Sequence, residues 1–371
     1  MAFIKGALMP DIKKIDTNFA NQETEKTLSF YNPVQDQRIS VYGLPWFSHN
    51  GNYYRFPKEK EALIKSLSEG LWVLATQPAG AMLAFYSNTS TLKIKVDLGA
   101  IFNMGHMAFT GQGGCDLYIG TQRSDLTFYR CASFGINQKH YEFTYFENQK
   151  MGKKLYLINL PLYAGIEKIV IGIDEDAEIE KADGLFEKGR IVCYGTSITQ
   201  GGCASRPGMC YTNQLSRILG YEVINLGFSG NGRAQKEVRE LVASIPDVKM
   251  FILDYEANVT LAILKDTLKP FIADLREKYP FVPIVVVSKI KMGVETHHQE
   301  AKNAELLLKN YQKQVVKEYQ KFDNNLYFVD GHKLLNPYTT EATVDGCHPT
   351  DLGFALMSKE FAKVINKIMD K

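Results

Sequence analysis

Two patterns of apolar spacing divide the chain. From about residue 38 to residue 174 the apolar positions fall in short alternating or β-branched runs cut by Gly, Asn and Pro. Thr91-Leu92-Lys93-Ile94-Lys95-Val96-Asp97-Leu98 alternates with a strict period of two, and Lys168-Ile169-Val170-Ile171-Gly172-Ile173 is rich in β-branched residues. Successive side chains of a strand face opposite sides of a sheet, so this spacing predicts half-buried strands, and their number predicts a β-sandwich. Residues 59–68 predict one short, solvated helix. Leu44-Pro45-Trp46-Phe47 and Trp72 are expected in the sandwich core.

After Gly189 the pattern changes to near-continuous apolar runs alternating with helical periodicity. Strands are expected at 191–194, 222–226, 250–253, 283–288 and 326–329. Helices are expected at 211–219, 234–244, 261–279, 301–319 and 351–369, with Gly220 and Pro246 as stop signals. Strands that are apolar throughout belong in a parallel sheet covered on both faces. The acidic run Asp174-Glu175-Asp176-Ala177-Glu178-Ile179-Glu180, before Gly184 and Gly189, reads as a solvated linker. Two domains follow, residues 1–186 and 187–371, as the 371-residue length also suggests.

Composition removes several function classes. A formal net charge of +2 without a basic block gives no electrostatic reason to expect nucleic acid or an anionic membrane as partner. No run of about 18 apolar residues is present, so no spanning helix is expected. The N-terminus, Met1-Ala2-Phe3-Ile4-Lys5-Gly6, lacks the charged-then-apolar pattern of a signal peptide. The compartment expectation is cytoplasmic by default, and periplasmic or secreted where a leader has been removed. The six cysteines form no CxxC pair and no zinc-ligand spacing, so no metal is expected. Free thiols are the simpler reading, with a bridge among Cys203, Cys210 and Cys347 as the alternative. His297-His298 has no carboxylate or thiol cluster beside it and is not read as a metal site.

The chemistry-bearing residues fall where an open parallel sheet places them, in loops after strand ends. Ser197 stands in Tyr194-Gly195-Thr196-Ser197, and Gly230 in Asn225-Leu226-Gly227-Phe228-Ser229-Gly230. Asn258 follows Asp254-Tyr255-Glu256-Ala257, and Asp345 and His348 share the turn Asp345-Gly346-Cys347-His348-Pro349. A carboxylate and an imidazole three residues apart can be held in hydrogen-bond reach by local geometry alone. Ser, Asp and His in this chain order point to covalent acyl transfer.

These four blocks resemble the SGNH hydrolases, the GDSL-type esterases and lipases. The run Gly201-Gly202-Cys203-Ala204-Ser205-Arg206-Pro207-Gly208-Met209 resembles the subgroup with a preceding β-sandwich. The resemblance implies a flavodoxin-like α/β/α hydrolase domain after a jelly-roll-like sandwich. It implies Ser197 as nucleophile, His348 as general base and acid, and Asp345 as the orienting carboxylate. The oxyanion hole would be the backbone N–H groups of Ser197 and Gly230 and the side-chain amide of Asn258, with no cofactor. Glycine at 230 is expected because a bare N–H can approach the oxyanion without a Cβ in the way.

Two positions depart from the family pattern: Thr196 stands where Asp is usual, and Glu256-Ala257-Asn258-Val259 replaces Gly-x-Asn-Asp. Asp254 is a candidate to orient Asn258 or Ser197, or to supply the missing acceptor. Arg206 can hold a substrate carboxylate or brace its loop, and bracing is the preferred reading. Residues 76–80 are expected to face the crevice. The expected activity is hydrolysis of small acyl esters, acetyl above all, of a carbohydrate or related polyol. The alternatives are a catalytically impaired carbohydrate-binding protein and an acyltransferase using the same triad.

Overall fold

The computed structural model describes residues 27–370. Residues 1–6, read above for a signal, lie outside them. In the N-terminal half the strands are β1 (Leu28–Tyr31), β2 (Ser40–Tyr42), β3 (Met82–Ser87), β4 (Leu92–Ile101), β5 (Asp116–Gly120), β6 (Thr127–Cys131), β7 (His140–Phe146), β8 (Lys154–Asn159), β9 (Ala164–Asp174) and β10 (Ile179–Lys181). They form two antiparallel sheets, β1-β9-β4-β7 and β10-β3-β8-β5-β6, with β2 added beside β3. The period of two in β4 has the predicted consequence. Leu92, Ile94, Val96 and Leu98 enter the core between the sheets, while Lys93 and Lys95 pair outside with Glu142 of β7 at 2.7 and 2.9 Å.

The second sheet is buried on both faces. Leu83, Phe85, Leu117 and Ile119 point into the sandwich, and Met82, Ala84, Tyr118, Leu155 and Leu157 point outward under Ala182, Leu185 and Phe186. The acidic run is solvated only in part: Glu175, Asp176, Glu178 and Glu180 are exposed, while its two ends are tied into the sandwich. Asp174 closes β9 with its carboxylate buried, accepting from the Ser90 backbone N–H and hydroxyl at 2.6 and 2.7 Å. Ile179–Lys181 pairs with β3. Two neighbouring donors replace the water that charge count alone would have demanded.

Helices Glu61–Leu67 and Glu69–Ala75 lie between β2 and β3, and the second of them is an addition to the sequence expectation. The Ser68 side chain caps it by accepting from the Leu71 N–H. Its Leu71, Trp72, Leu74 and Ala75 pack into the core of the C-terminal half, not the sandwich, and Trp46 joins them. Leu44 and Phe47 do lie with the sandwich.

The C-terminal half carries β11 (Arg190–Gly195), β12 (Glu222–Gly227), β13 (Val248–Asp254), β14 (Ile284–Val287) and β15 (Leu326–Val329), all parallel, in the order β12-β11-β13-β14-β15. Helices Tyr211–Leu219 and Asp351–Met369 pack together as one layer, and Lys236–Ser244, Leu261–Lys278 and Gln299–Tyr319 form the other. From β11 the chain first moves to β12 on one side, then crosses back to β13 on the other. The loops after β11 and β13 therefore diverge, leaving a crevice at their carboxyl ends. Among the described residues no helix is long and apolar enough to cross a membrane.

Candidate active site

Strand β11 ends at Gly195, and the Thr196 hydroxyl accepts from the Ile198 N–H at 3.3 Å, starting the single turn Ser197–Gln200. Gly201 closes the turn at φ 106°. Threonine in place of aspartate thus serves as the cap of the turn that presents Ser197. The loop doubles back so closely that the Gly202 N–H donates to the Ser197 carbonyl at 2.8 Å.

The Ser197 Oγ lies 2.8 Å from the His348 Nε2, and the His348 Nδ1 lies 2.8 Å from the Asp345 Oδ2. The other oxygen, Oδ1, accepts the backbone N–H groups of Cys347 and His348 at 3.0 and 2.7 Å. Partial burial alone would raise the Asp345 carboxyl, but the His348 N–H, the imidazole and the Cys347 N–H outweigh it and hold it at about 2. An ionised carboxylate only accepts, so the proton of the neutral imidazole sits on Nδ1 and the Nε2 lone pair faces the hydroxyl. That arrangement can take a proton from Ser197. Neighbouring elements hold the turn: the Gly293 N–H donates to the Gly346 carbonyl at 2.7 Å, and Asp351 accepts from the Ser205 N–H at 2.9 Å and from its hydroxyl.

Gly230 and Asn258 sit on the loops after β12 and β13. Gly230 has φ +67°, and a Cβ built there meets nothing within 4 Å. The left-handed backbone by itself favours glycine at this position. The Asn258 Oδ1 accepts from the Gly232 N–H at 3.2 Å, tying the two loops together. Thr260, not Asn258, caps helix Leu261–Lys278.

Asp254 makes no direct hydrogen bond to Ser197 or Asn258, and the acceptor it supplies reaches the Ser197 turn through Thr199. Its buried carboxylate accepts from Tyr211 and Thr199 hydroxyls at 3.2 and 3.3 Å, bracing the Ser197 turn from behind through Thr199. Burial pushes Asp254 up to about 7 against the pull of these two donors. Beside Asn258, burial likewise pushes Glu256 up to about 8, opposed by the Lys289 charge. Arg206 braces: it donates to the Asp116 Oδ2 at 2.5 Å and to the Tyr118 hydroxyl at 2.8 Å, with its guanidinium carbon 3.7 Å from the Phe128 ring centroid.

Several residues that position the site were missed by sequence reasoning because they come from the N-terminal half. Arg55, fully buried, donates to the Asn225 and Gly227 carbonyls at 3.2 and 2.5 Å and to Gln77 and Leu74 carbonyls at 2.7 and 2.8 Å. Gln200 donates to the Gln77 Oε1 at 2.9 Å and accepts from the Ser229 N–H at 3.0 Å. The 76–80 loop thus backs the crevice instead of lining it. Tyr163 packs under the Ser197 carbonyl, with its hydroxyl 3.4 Å away.

His297 and His298 are exposed at the end of a short helix, as a surface reading requires. All six cysteines are free thiols, among them Cys203, Cys210 and Cys347. Cys spacing pointed to no metal, yet the fold brings one ligand atom each from His106, Cys203 and His348 within 4.8 Å of one another.

Comparison with known proteins places this geometry in a family. Residues 188–366 match the GDSL-like lipase/acylhydrolase family, and residues 28–179 match GxDLY, the N-terminus of SGNH-type esterases. The GxDLY pattern stands here as Gly114-Cys115-Asp116-Leu117-Tyr118, whose Asp116 and Tyr118 are the partners of Arg206. A crystal structure of a Bacteroides ovatus protein assigned to the GDSL-like lipases is 32% identical, with a TM-score of 0.84, covering 93% of this chain and 98% of that one. The salicylyl-acyltransferase SsfX3 from a tetracycline biosynthetic pathway shares the fold at 17% identity and TM-score 0.75, covering 92% and 97%. So does a family two carbohydrate esterase from Cellvibrio japonicus, at 14% and 0.59, covering 93% and 99%. Among curated proteins none matches the sequence. With both halves matched in order and a relative of this identity along nearly its whole length, the chain belongs to the GDSL-like, SGNH-type acylhydrolases and is a carboxylic ester hydrolase.

Proposed function

We propose that the protein is a serine esterase that removes small acyl groups, acetyl above all, from a carbohydrate or related polyol. The observation that carries the reading is the unbroken chain of contacts from the Ser197 Oγ to the Asp345 carboxylate, 2.8 Å at each of its two links to the imidazole. Ser197 attacks the ester carbonyl as His348 Nε2 takes its proton. The oxyanion accepts from the Ser197 and Gly230 N–H groups and the Asn258 amide. The alcohol leaves with the proton from His348, and water, deprotonated by the same imidazole, releases the acid and restores the serine.

In this reading residues 187–371 are the catalytic unit and residues 1–186 shape the substrate crevice. Supporting the sugar alcohol is the likeness of the whole chain, sandwich included, to family two carbohydrate esterases, one of which was crystallised with cellohexaose. Acetate release from acetylated oligosaccharides and from 4-nitrophenyl acetate tests the reading. Ser197→Ala is expected to lose on the order of 10⁴–10⁶-fold in kcat, and equal rates would remove Ser197 from the mechanism.

A second reading, acyl transfer to an acceptor other than water, is favoured by the likeness to a salicylyl-acyltransferase. Product analysis with and without a sugar or polyol acceptor separates the two. If a fluorophosphonate fails to label Ser197, both give way to a binding protein with an impaired site.

A further inference from the structure

We propose that His106, Cys203 and His348 form a latent inhibitory site for a borderline-soft divalent cation, zinc above all, in which the metal takes over the imidazole of the relay. That binding would inhibit rests on the role given to His348 above; that the cation binds does not.

The three residues come from separate parts of the chain. His106 is exposed on the loop between β4 and helix Phe109–Gly113 of the N-terminal half. Cys203 lies just beyond the Ser197 turn, and His348 on the turn before the last helix. One nitrogen or sulfur from each lies within 4.8 Å of the others, and the two imidazole rings are 5.7 Å apart at 55°. Cys203 has φ +75°, a backbone conformation that costs a non-glycine residue about 1–3 kcal/mol and that clusters at functional sites.

Two imidazoles and a thiol are the donor set that zinc prefers, with nitrogen at about 2.0–2.1 Å and sulfur at about 2.3 Å from the ion. Tetrahedral ligands at those lengths stand about 3.3–3.8 Å apart, so three ligand atoms within 4.8 Å of one another close on a metal by shifts of at most about 1–1.5 Å, the exposed His106 having the most room to move. The fourth position is left to water. On binding, the Cys203 thiol gives its proton to the solvent and the thiolate bonds to the metal.

The relay cannot survive this. Nε2 of His348 faces Ser197 and Nδ1 faces Asp345, so a metal on either nitrogen displaces one arm. The other group of ligand type among the described residues, Glu295, Glu305 and His332, makes a poorer metal site. Lys289 already pairs with Glu295, and Lys309 lies 3.8 Å from Glu305 and 3.0 Å from Asp330, so the positive charge is in place.

Cobalt(II) is the probe, read by thiolate-to-cobalt charge transfer and four-coordinate d–d absorption and displaced by zinc. Wild type is expected to show both, and Ser197→Ala to show them with tighter binding because the competing hydroxyl is gone. Cys203→Ala should lose the charge-transfer band, and the exposed His106→Ala should weaken binding at least about tenfold. In the activity arm, zinc should inhibit wild type reversibly on chelation. His106→Ala should keep its basal rate while its half-inhibitory zinc concentration rises at least about tenfold.

Absence of the charge-transfer band in wild type, or its survival in Cys203→Ala, overturns the proposal. So does zinc inhibition that is unchanged in His106→Ala, a variant whose folding is not in question. Cobalt bound as described to a protein without esterase activity would instead sink the functional reading and leave the site standing.

Discussion

At Gly202 a Cβ would stand 3.0 Å from the Tyr163 hydroxyl oxygen, 3.1 Å from the Ser197 carbonyl oxygen and 3.3 Å from the His348 Cδ2. The imidazole has no room to retreat without leaving its hydrogen bonds. Gly202→Ala shifts these neighbours by less than 1 Å and is therefore expected to lower kcat by less than the roughly 10²-fold that a misplacement of about 1 Å brings, with little change in KM. Steady-state kinetics checks it. Asn258→Ala removes one amide donor and should cost about 10²–10³ in kcat, about 2.7–4 kcal/mol, with substrate binding nearly intact. Ser197, Asp345 and His348 were legible because each sits in a short motif whose geometry is local. The role of Thr196 was not, because a cap is recognised only when its N–H partner is seen.

Alternation along β5 explains how the two halves are joined. Leu117 and Ile119 enter the sandwich core, so Asp116 and Tyr118 must emerge on the opposite face, where Arg206 meets them. The Asp116 side chain is fully buried and that of Arg206 is 17% exposed. Burial pushes the Asp116 carboxyl up, and the Arg206 and Arg217 charges pull against it. Asp116→Ala leaves the guanidinium without its carboxylate and is expected to destabilise the protein by about 3–5 kcal/mol, read as a lower denaturation midpoint at unchanged slope. The elements themselves were largely readable from periodicity. Helix Glu69–Ala75 escaped because its buried face packs on a core formed more than 100 residues away in the chain, and no local pattern reports that.

Charge buried without a counter-ion makes the whole molecule respond to pH. Asp254 holds its proton up to about 7 when folded, against an ordinary value of 3.8. Between those values the folded state binds more protons than the unfolded one, so this contribution to stability is full below about pH 4, falls as pH rises, and is gone above about pH 7. Asp345, held at about 2, acts oppositely, since its contribution is present above 3.8 and lost as pH falls towards 2. Asp254→Asn should therefore gain in Tm relative to wild type from about pH 5 to about pH 8. A difference in Tm that is flat over that range would contradict the assignment.

The two halves also share apolar surface. Phe56, Ile64, Leu71, Trp72 and Tyr163 belong to the same core as the parallel sheet, and Phe56 lies 4.9 Å from Phe228 between ring centroids. A chain starting at residue 187 would expose that face and lose the donors of Arg55. It is expected to aggregate or stay inactive, as size-exclusion chromatography and esterase assay would show.

Short-range information sufficed for the strands and helices, for the turn carrying Asp345 and His348, and for the loops bearing Ser197, Gly230 and Asn258. Side-chain period, caps and stop signals act over a few residues and are written where they act. The setting of those loops was not written there. Arg55, Gln77 and Tyr163 reach the site through the docking of a sandwich whose strands pair across large sequence separations. Periodicity says which face of a strand is apolar, but not which distant surface will cover it.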